Sequence, residues 1–192
     1  MKPKLTLYLV TILALGLLLS PSPSAQHNDQ ADKQSGTRSE RQSTAAMGPE
    51  EFLKHAMMGN MAEIQLGELA SERASSSQVK QFGQHMVEAH RKANEEVQSL
   101  AKQKGIKAPQ KLDAKHQQTY DRLSKLQGAE FDRAYMVLMV QDHREDVEAF
   151  EYQAKNSRDK DVRRLASTQT PELRQHLQMA TDARQQVGGR AE

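Results

Sequence analysis

The segment FDRAYMVLMVQDHREDVEAFEYQA, residues 131–154, decides the fold. Phe131, Tyr135, Met139, His143, Asp146, Phe150 and Ala154 recur at intervals of three and four, the spacing that gathers side chains on one face of an α-helix. No alternation of apolar and polar residues competes with that reading. A helix of about 25 residues is about 40 Å long. Its apolar stripe cannot stay in water, so the segment demands partner helices.

The partners lie on either side. Upstream, Pro49 suits a first helical turn, and Phe52, Ala56, Gly59, Glu63, Leu66 and Ala70 make a stripe that runs to about Ser75. Ser75 with Gln78 resembles a capping box that opens the next helix. That helix carries Val79, Phe82, Met86, His90, Ala93, Val97 and Leu100 and is stopped by Gly105 and Pro109. A shorter helix opened by Asp113 presents Leu112, His116, Tyr120, Leu123 and Leu126 and is expected to end at Gly128. Downstream, Asn156, Ser157 and Asp159 turn the chain into a last helix with Val162, Leu165, Leu173, His176, Leu177 and Ala180. Thr170-Pro171 inside it is expected to kink or restart that helix, because Pro lacks the backbone donor. The reading is all-α: a four-helix bundle with an extra short helix.

Composition agrees and narrows the function. Nine Met, four Phe, four Tyr and no Trp make a core better suited to helix packing than to a β-sandwich. The chain has no Cys, which excludes disulfides, thiolate metal sites and Cys nucleophiles. Lys2 and Lys4 precede an apolar run from Leu5 to Leu19, and the small and turn-forming residues from Ser20 to Ala25 follow it. This is the pattern of a signal peptide over 1–25, the run being short for a membrane span of about 20 residues. The alternative is an uncleaved N-terminal anchor. Residues 26–47 read as a disordered polar tether, 48–187 as the bundle domain and 188–192 as a tail. The expected compartment is the periplasm or the exterior, with no membrane span in the mature form. Without its two leader lysines the chain carries 25 charges of each sign, which leaves no electrostatic footprint for nucleic acid.

Four segments then carry a resemblance. FLKHAMMGNMAEIQLGELA, VKQFGQHMVEAHRKANEEV, FDRAYMVLMVQDHREDVEAFEYQA and TPELRQHLQMA stand in order at 52–70, 79–97, 131–154 and 170–180. Together they resemble a family of bacterial envelope proteins known as domain of unknown function 4142, over nearly all of residues 49–185. The resemblance implies a ferritin-like up-and-down bundle, export from the cytoplasm and no established activity.

The informative oddity is polar residues on the apolar stripes. Glu63 stands among Ala56, Gly59, Leu66 and Ala70; His90 follows Met86 by four; His143 follows Met139 by four, with Asp146 three later; His176 follows Leu173 by three. A buried ionisable group costs several kcal/mol unless it is paired or coordinated. Glu63, His90, His143, Asp146 and His176 are therefore candidate ligands of a transition metal, since imidazoles with one or two carboxylates suit Zn, Fe, Cu or Ni. Di-iron bundles use Glu-x-x-His, whereas here Glu88 stands two residues before His90 and Glu172 four before His176, so bridging carboxylates are scarce. The same residues also fit a buried hydrogen-bonded network that fixes helix register, or a protonation switch. His55 and His85 fall beside the stripes and read as surface residues; the Met residues read as core filling rather than a copper site. No nucleophile triad, phosphate loop or dinucleotide fingerprint is present, so no catalytic residue is assigned. Three functions remain open: a non-catalytic envelope maintenance or stress protein acting through a protein partner, a ferritin-like metal-binding protein, and a redox enzyme on the same site, which the shortage of Glu disfavours.

Overall fold

A computed structural model describes residues 47–188 as five helices. They are α1 (Pro49–Arg73), α2 (Ser77–Gln103), α3 (Ala114–Leu123), α4 (Gly128–Asn156) and α5 (Lys160–Gly188). No strand occurs among the described residues. The expected signal segment, nearly all of the tether and residues 189–192 lie outside them.

Each helix begins where its chemistry allows. Pro49 opens α1, and Glu50 and Glu51 place negative charge against its N-terminal dipole. Asp113 caps α3 by accepting the backbone N–H of His116 at 2.9 Å, as the sequence indicates. Asp159 accepts the backbone N–H groups of Asp161 and Val162 at the start of α5. Helix α2 departs from expectation, because the Ser75–Gln78 box does not form. Instead Asp132, buried near the start of α4, accepts from the backbone N–H of Ser75 (3.1 Å), that of Ser76 (2.9 Å) and the Ser75 hydroxyl (2.6 Å). A carboxylate 57 residues away thus satisfies the exposed donors and ties two helices together. Gly128 also departs from expectation: at φ 59° it opens α4, and α3 has already stopped at Leu123. Helix α5 does not restart at Pro171 but runs unbroken to Gly188. Beside the proline, Thr170 donates its hydroxyl to the Ala166 carbonyl at 2.7 Å.

Two apolar layers hold the bundle. One joins Leu66 and Ala70 of α1, Phe82 and Met86 of α2, Phe131 to Val140 of α4, and Ala180 and Ala183 of α5. The other joins Phe52 and Met57 of α1, Val97 and Leu100 of α2, Phe150 of α4, and Val162 and Leu173 of α5. Direction follows from these memberships. Helices α1 and α5 run from the second layer to the first, and α2 and α4 run back. The main contacts are α1 with α2, α4 with α5, α2 with α5 and α1 with α4, so every neighbouring pair is antiparallel. The one long connection, from α2 to α4, crosses the length of the bundle and carries α3 over α1 and α4, as a single-crossover bundle does. Helices α1 and α2 meet closely at two glycines. A Cβ on Gly67 would lie 2.6 Å from the Gly83 carbonyl oxygen, so only hydrogen fits there.

Candidate metal centre

Between the two layers lies a polar belt. Asn60 and Glu63 reach it from α1, His90 from α2, His143 from α4 and His176 from α5, and all five are at most 7% exposed. Each sits on its helix between residues of one layer and residues of the other, Glu63 between Met57 and Leu66, His143 between Met139 and Phe150. The bundle's register therefore brings four separate helices to one point.

The three imidazoles form the tight group. Their ring centroids are 5.4, 5.5 and 5.6 Å apart, and one donor atom from each lies within 4.8 Å of the other two. Neighbouring acceptors fix the tautomers. His143 donates Nδ1–H to the Met139 carbonyl at 3.0 Å, and His90 donates Nδ1–H to the Asn60 side-chain oxygen at 2.8 Å. Both rings are left with a bare Nε2 lone pair, the state in which an imidazole binds a metal. Neither Nε2 has a hydrogen-bond partner among the described residues, and neither ring nitrogen of His176 has one. Burial holds all three rings neutral: it lowers His90 well below its ordinary range, His143 to about 4 and His176 to about 3. The neighbouring rings push His90 and His176 further down.

Glu63 borders this group on two sides. Its carboxylate oxygens stand 3.6 Å from His90 Nε2 and 3.4 Å from His143 Nδ1, and neither is hydrogen-bonded. Burial pushes its pKa well up, and Asp142 and Asp146 push it further. A second charge would relieve this. Zn–N bonds of about 2.0–2.1 Å put tetrahedral donors about 3.3 Å apart, so the triad would contract by about 1.5 Å at most around an ion.

Asp146, a candidate from the sequence, does not join the tight group. It is partly exposed and faces His55, whose Nε2 lies 3.9 Å from its carboxylate. His55 is accordingly half-buried in a groove, not a plain surface residue. His85 is exposed, as expected, but its ring lies edge-on 5.3 Å from His176. Asn60 was not among the sequence candidates; its signal was a second polar residue one turn before Glu63 on a buried stripe. Met57, Met86, Met136 and Met139 are fully buried in the apolar layers, the core filling expected of them.

A protein-family model matches residues 17–183 of the chain. The chain belongs to the family Domain of unknown function (DUF4142). Two solved structures resemble this DUF4142 protein. A DUF305 fragment from Deinococcus radiodurans is 16% identical with a TM-score of 0.63, over 76% of this chain and 98% of its own. A DUF305 protein from Streptomyces coelicolor is 11% identical with a TM-score of 0.62, over 73% of this chain and 94% of its own. At these identities the likeness is one of fold alone. No curated protein matches the chain. Among the described residues, no helix is long and apolar enough to cross a membrane.

Proposed function

We propose that this DUF4142 protein is an exported, non-catalytic helical bundle that binds one transition-metal ion at the polar belt. His90, His143 and His176 supply the ligands, and Glu63 supplies the compensating negative charge. One observation carries the reading. Six buried donor and acceptor atoms of the belt, namely Nε2 of His90 and His143, both nitrogens of His176 and both oxygens of Glu63, are without hydrogen-bond partners among the described residues. A network that fixed register would pair these atoms with one another, and it does not. Asp146, the other acid that such a network would need, faces His55 instead. Three neutral imidazoles select Zn, Cu, Ni or Fe over Ca or Mg, which prefer oxygen shells. Among the described residues Glu63 alone brings carboxylate oxygens within 4 Å of the nitrogens of these three rings, so the bridging carboxylates of a di-iron oxidase are scarce. Export is supported by the Lys2–Ala25 pattern, and with it goes a role in the cell envelope.

The test is metal analysis of the untagged mature protein, as isolated and after reconstitution with Zn, Cu, Ni or Fe salts. One equivalent that is lost in His143→Ala is expected. Absence of metal, with thermal stability indifferent to chelator and to added ion, overturns the reading.

A further inference from the structure

The belt is buried, so an ion needs a way in. We propose that the acidic groove walled by α1, α3 and α4 is the entrance by which a divalent cation reaches the imidazoles, with Gly59 and Asp146 at its inner end. The inference rests on the metal-binding reading of the belt.

Two cavities meet there. A small cavity of about 20 Å³ is lined by Asn60, His90 and His176 and has Gly59 and Asp146 in its wall. That volume holds about one water-sized sphere. A solvent-open groove of about 540 Å³ shares Gly59 and Asp146 as its inner wall and runs out beneath α3. Six carboxylates line the groove against two basic side chains, Lys115 and Arg122. Once Asp142 and Asp146, raised to about 7, have ionised, such an imbalance focuses the field on an incoming cation and raises its rate of arrival. Three of these acids, Asp142, Asp146 and Glu63, are close enough for the first two to act on the third, and the buried oxygens of Glu63 have no hydrogen-bond partner among the described residues.

Gly59 gives an independent indication. A glycine inside a helix costs about 1 kcal/mol relative to alanine. Here no turn or close packing asks for one, because a Cβ at Gly59 would meet nothing within 4 Å. What the missing side chain leaves is open space at the junction of the two cavities. The opposite flank of the small cavity, between α2 and α5, is stitched by Gln169, which donates to the Ala93 carbonyl at 3.3 Å and to Glu96 at 3.0 Å.

The experiment is stopped-flow mixing of the chelator-stripped mature protein with Co²⁺, read by the visible absorbance of the bound ion. Asp142→Asn with Asp146→Asn is expected to slow association at least tenfold at low salt and to flatten its dependence on ionic strength. Gly59→Leu is expected to slow association and dissociation alike by tenfold or more, leaving Kd within about threefold. Wild-type protein that binds Co²⁺ while these variants keep its rates overturns the entrance and leaves the metal site standing. So does a wild-type-like Asp142/Asp146 variant beside a slowed Glu172→Gln, which would move the entrance to the α5 side. Wild-type protein that binds no Co²⁺ overturns the metal site and the entrance together.

Discussion

Replacing Glu63 by Gln should stabilise the metal-free protein and weaken its response to metal, two changes of opposite sign from one substitution. The Glu63 carboxyl is buried, neither oxygen is hydrogen-bonded, and Asp142 and Asp146 add repulsion to the burial that raises its pKa. An orphaned buried polar group costs about 1–3 kcal/mol, and a buried charge costs more. The amide removes the charge, and its N–H₂ can donate to the bare Nε2 of His90, now 3.6 Å from a Glu63 oxygen. The expected gain is about 1–3 kcal/mol in chelator, or about 4–12 °C in Tm for a domain of this size. With Zn²⁺ at about a hundred times Kd, wild-type protein should gain about 2.7 kcal/mol. A ten- to hundredfold loss of affinity in Glu63→Gln would remove about 1.3–2.3 kcal/mol of that gain. The assay is thermal unfolding followed by circular dichroism, with chelator and with Zn²⁺, for both proteins. If Glu63→Gln loses 1 kcal/mol or more in chelator and shifts with Zn²⁺ as far as wild type does, Glu63 is a hydrogen-bonded register pin and its role as the ion's counter-charge is refuted.

Other consequences follow from the same packing. Folded-state pKa values of about 4 for His143 and about 3 for His176 mean that the unfolded chain binds protons first as pH falls below about 6.5. In chelator, urea titrations should therefore show wild type losing on the order of 3 kcal/mol against His143→Gln between about pH 6.5 and 4, with no divergence above pH 7. Asp142 and Asp146, raised to about 7, act with the opposite sign, so Asp146→Asn should gain on wild type as pH rises from about 4 to about 7 in the same titrations. Asp132→Ala leaves three donors at the α1–α2 turn unsatisfied and should cost about 2–4 kcal/mol; a Tm within about 2 °C of wild type would contradict the assigned cap. Gly67→Ala should destabilise by about 1–3 kcal/mol despite the better helix propensity of alanine, and a rise in Tm would show that the helices can part at no cost.

The residues that repeat every three or four positions were readable because a helix writes its burial into sequence at that period, and Glu63, His90, His143 and His176 were readable as interruptions of it. Convergence was not readable, since nothing in one helix states which level of its neighbour it faces. Asp146 shows the limit most clearly. Three residues is 300° of helical rotation, so Asp146 sits 60° around α4 from His143. That arc is small enough to share a stripe in sequence and large enough to turn one side chain to the bundle axis and the other to the groove beside His55. The cap on α2 was hidden for a different reason. Ser75 and Gln78 satisfy the local rule, but Asp132 reaches the same donors from another helix, and a carboxylate held by the core outcompetes a local side chain. The single crossover was equally silent, because a 24-residue connection is compatible with more than one chain direction.

The position of the belt explains how the fold tolerates it. Apolar layers above and below clamp all four long helices, so the energetic penalty of the unpartnered imidazole nitrogens falls on a level whose backbone is fixed from both sides. The side chains there can still move. A contraction of about 1.5 Å at most lies within the reach of rotamer adjustment about Cα–Cβ and Cβ–Cγ, without a shift of helix axes. Had the same residues lain at an end of the bundle, water would have satisfied them and no ion would be needed. Mid-length burial between two closed layers turns a destabilising set of polar groups into one that a single positive ion can satisfy.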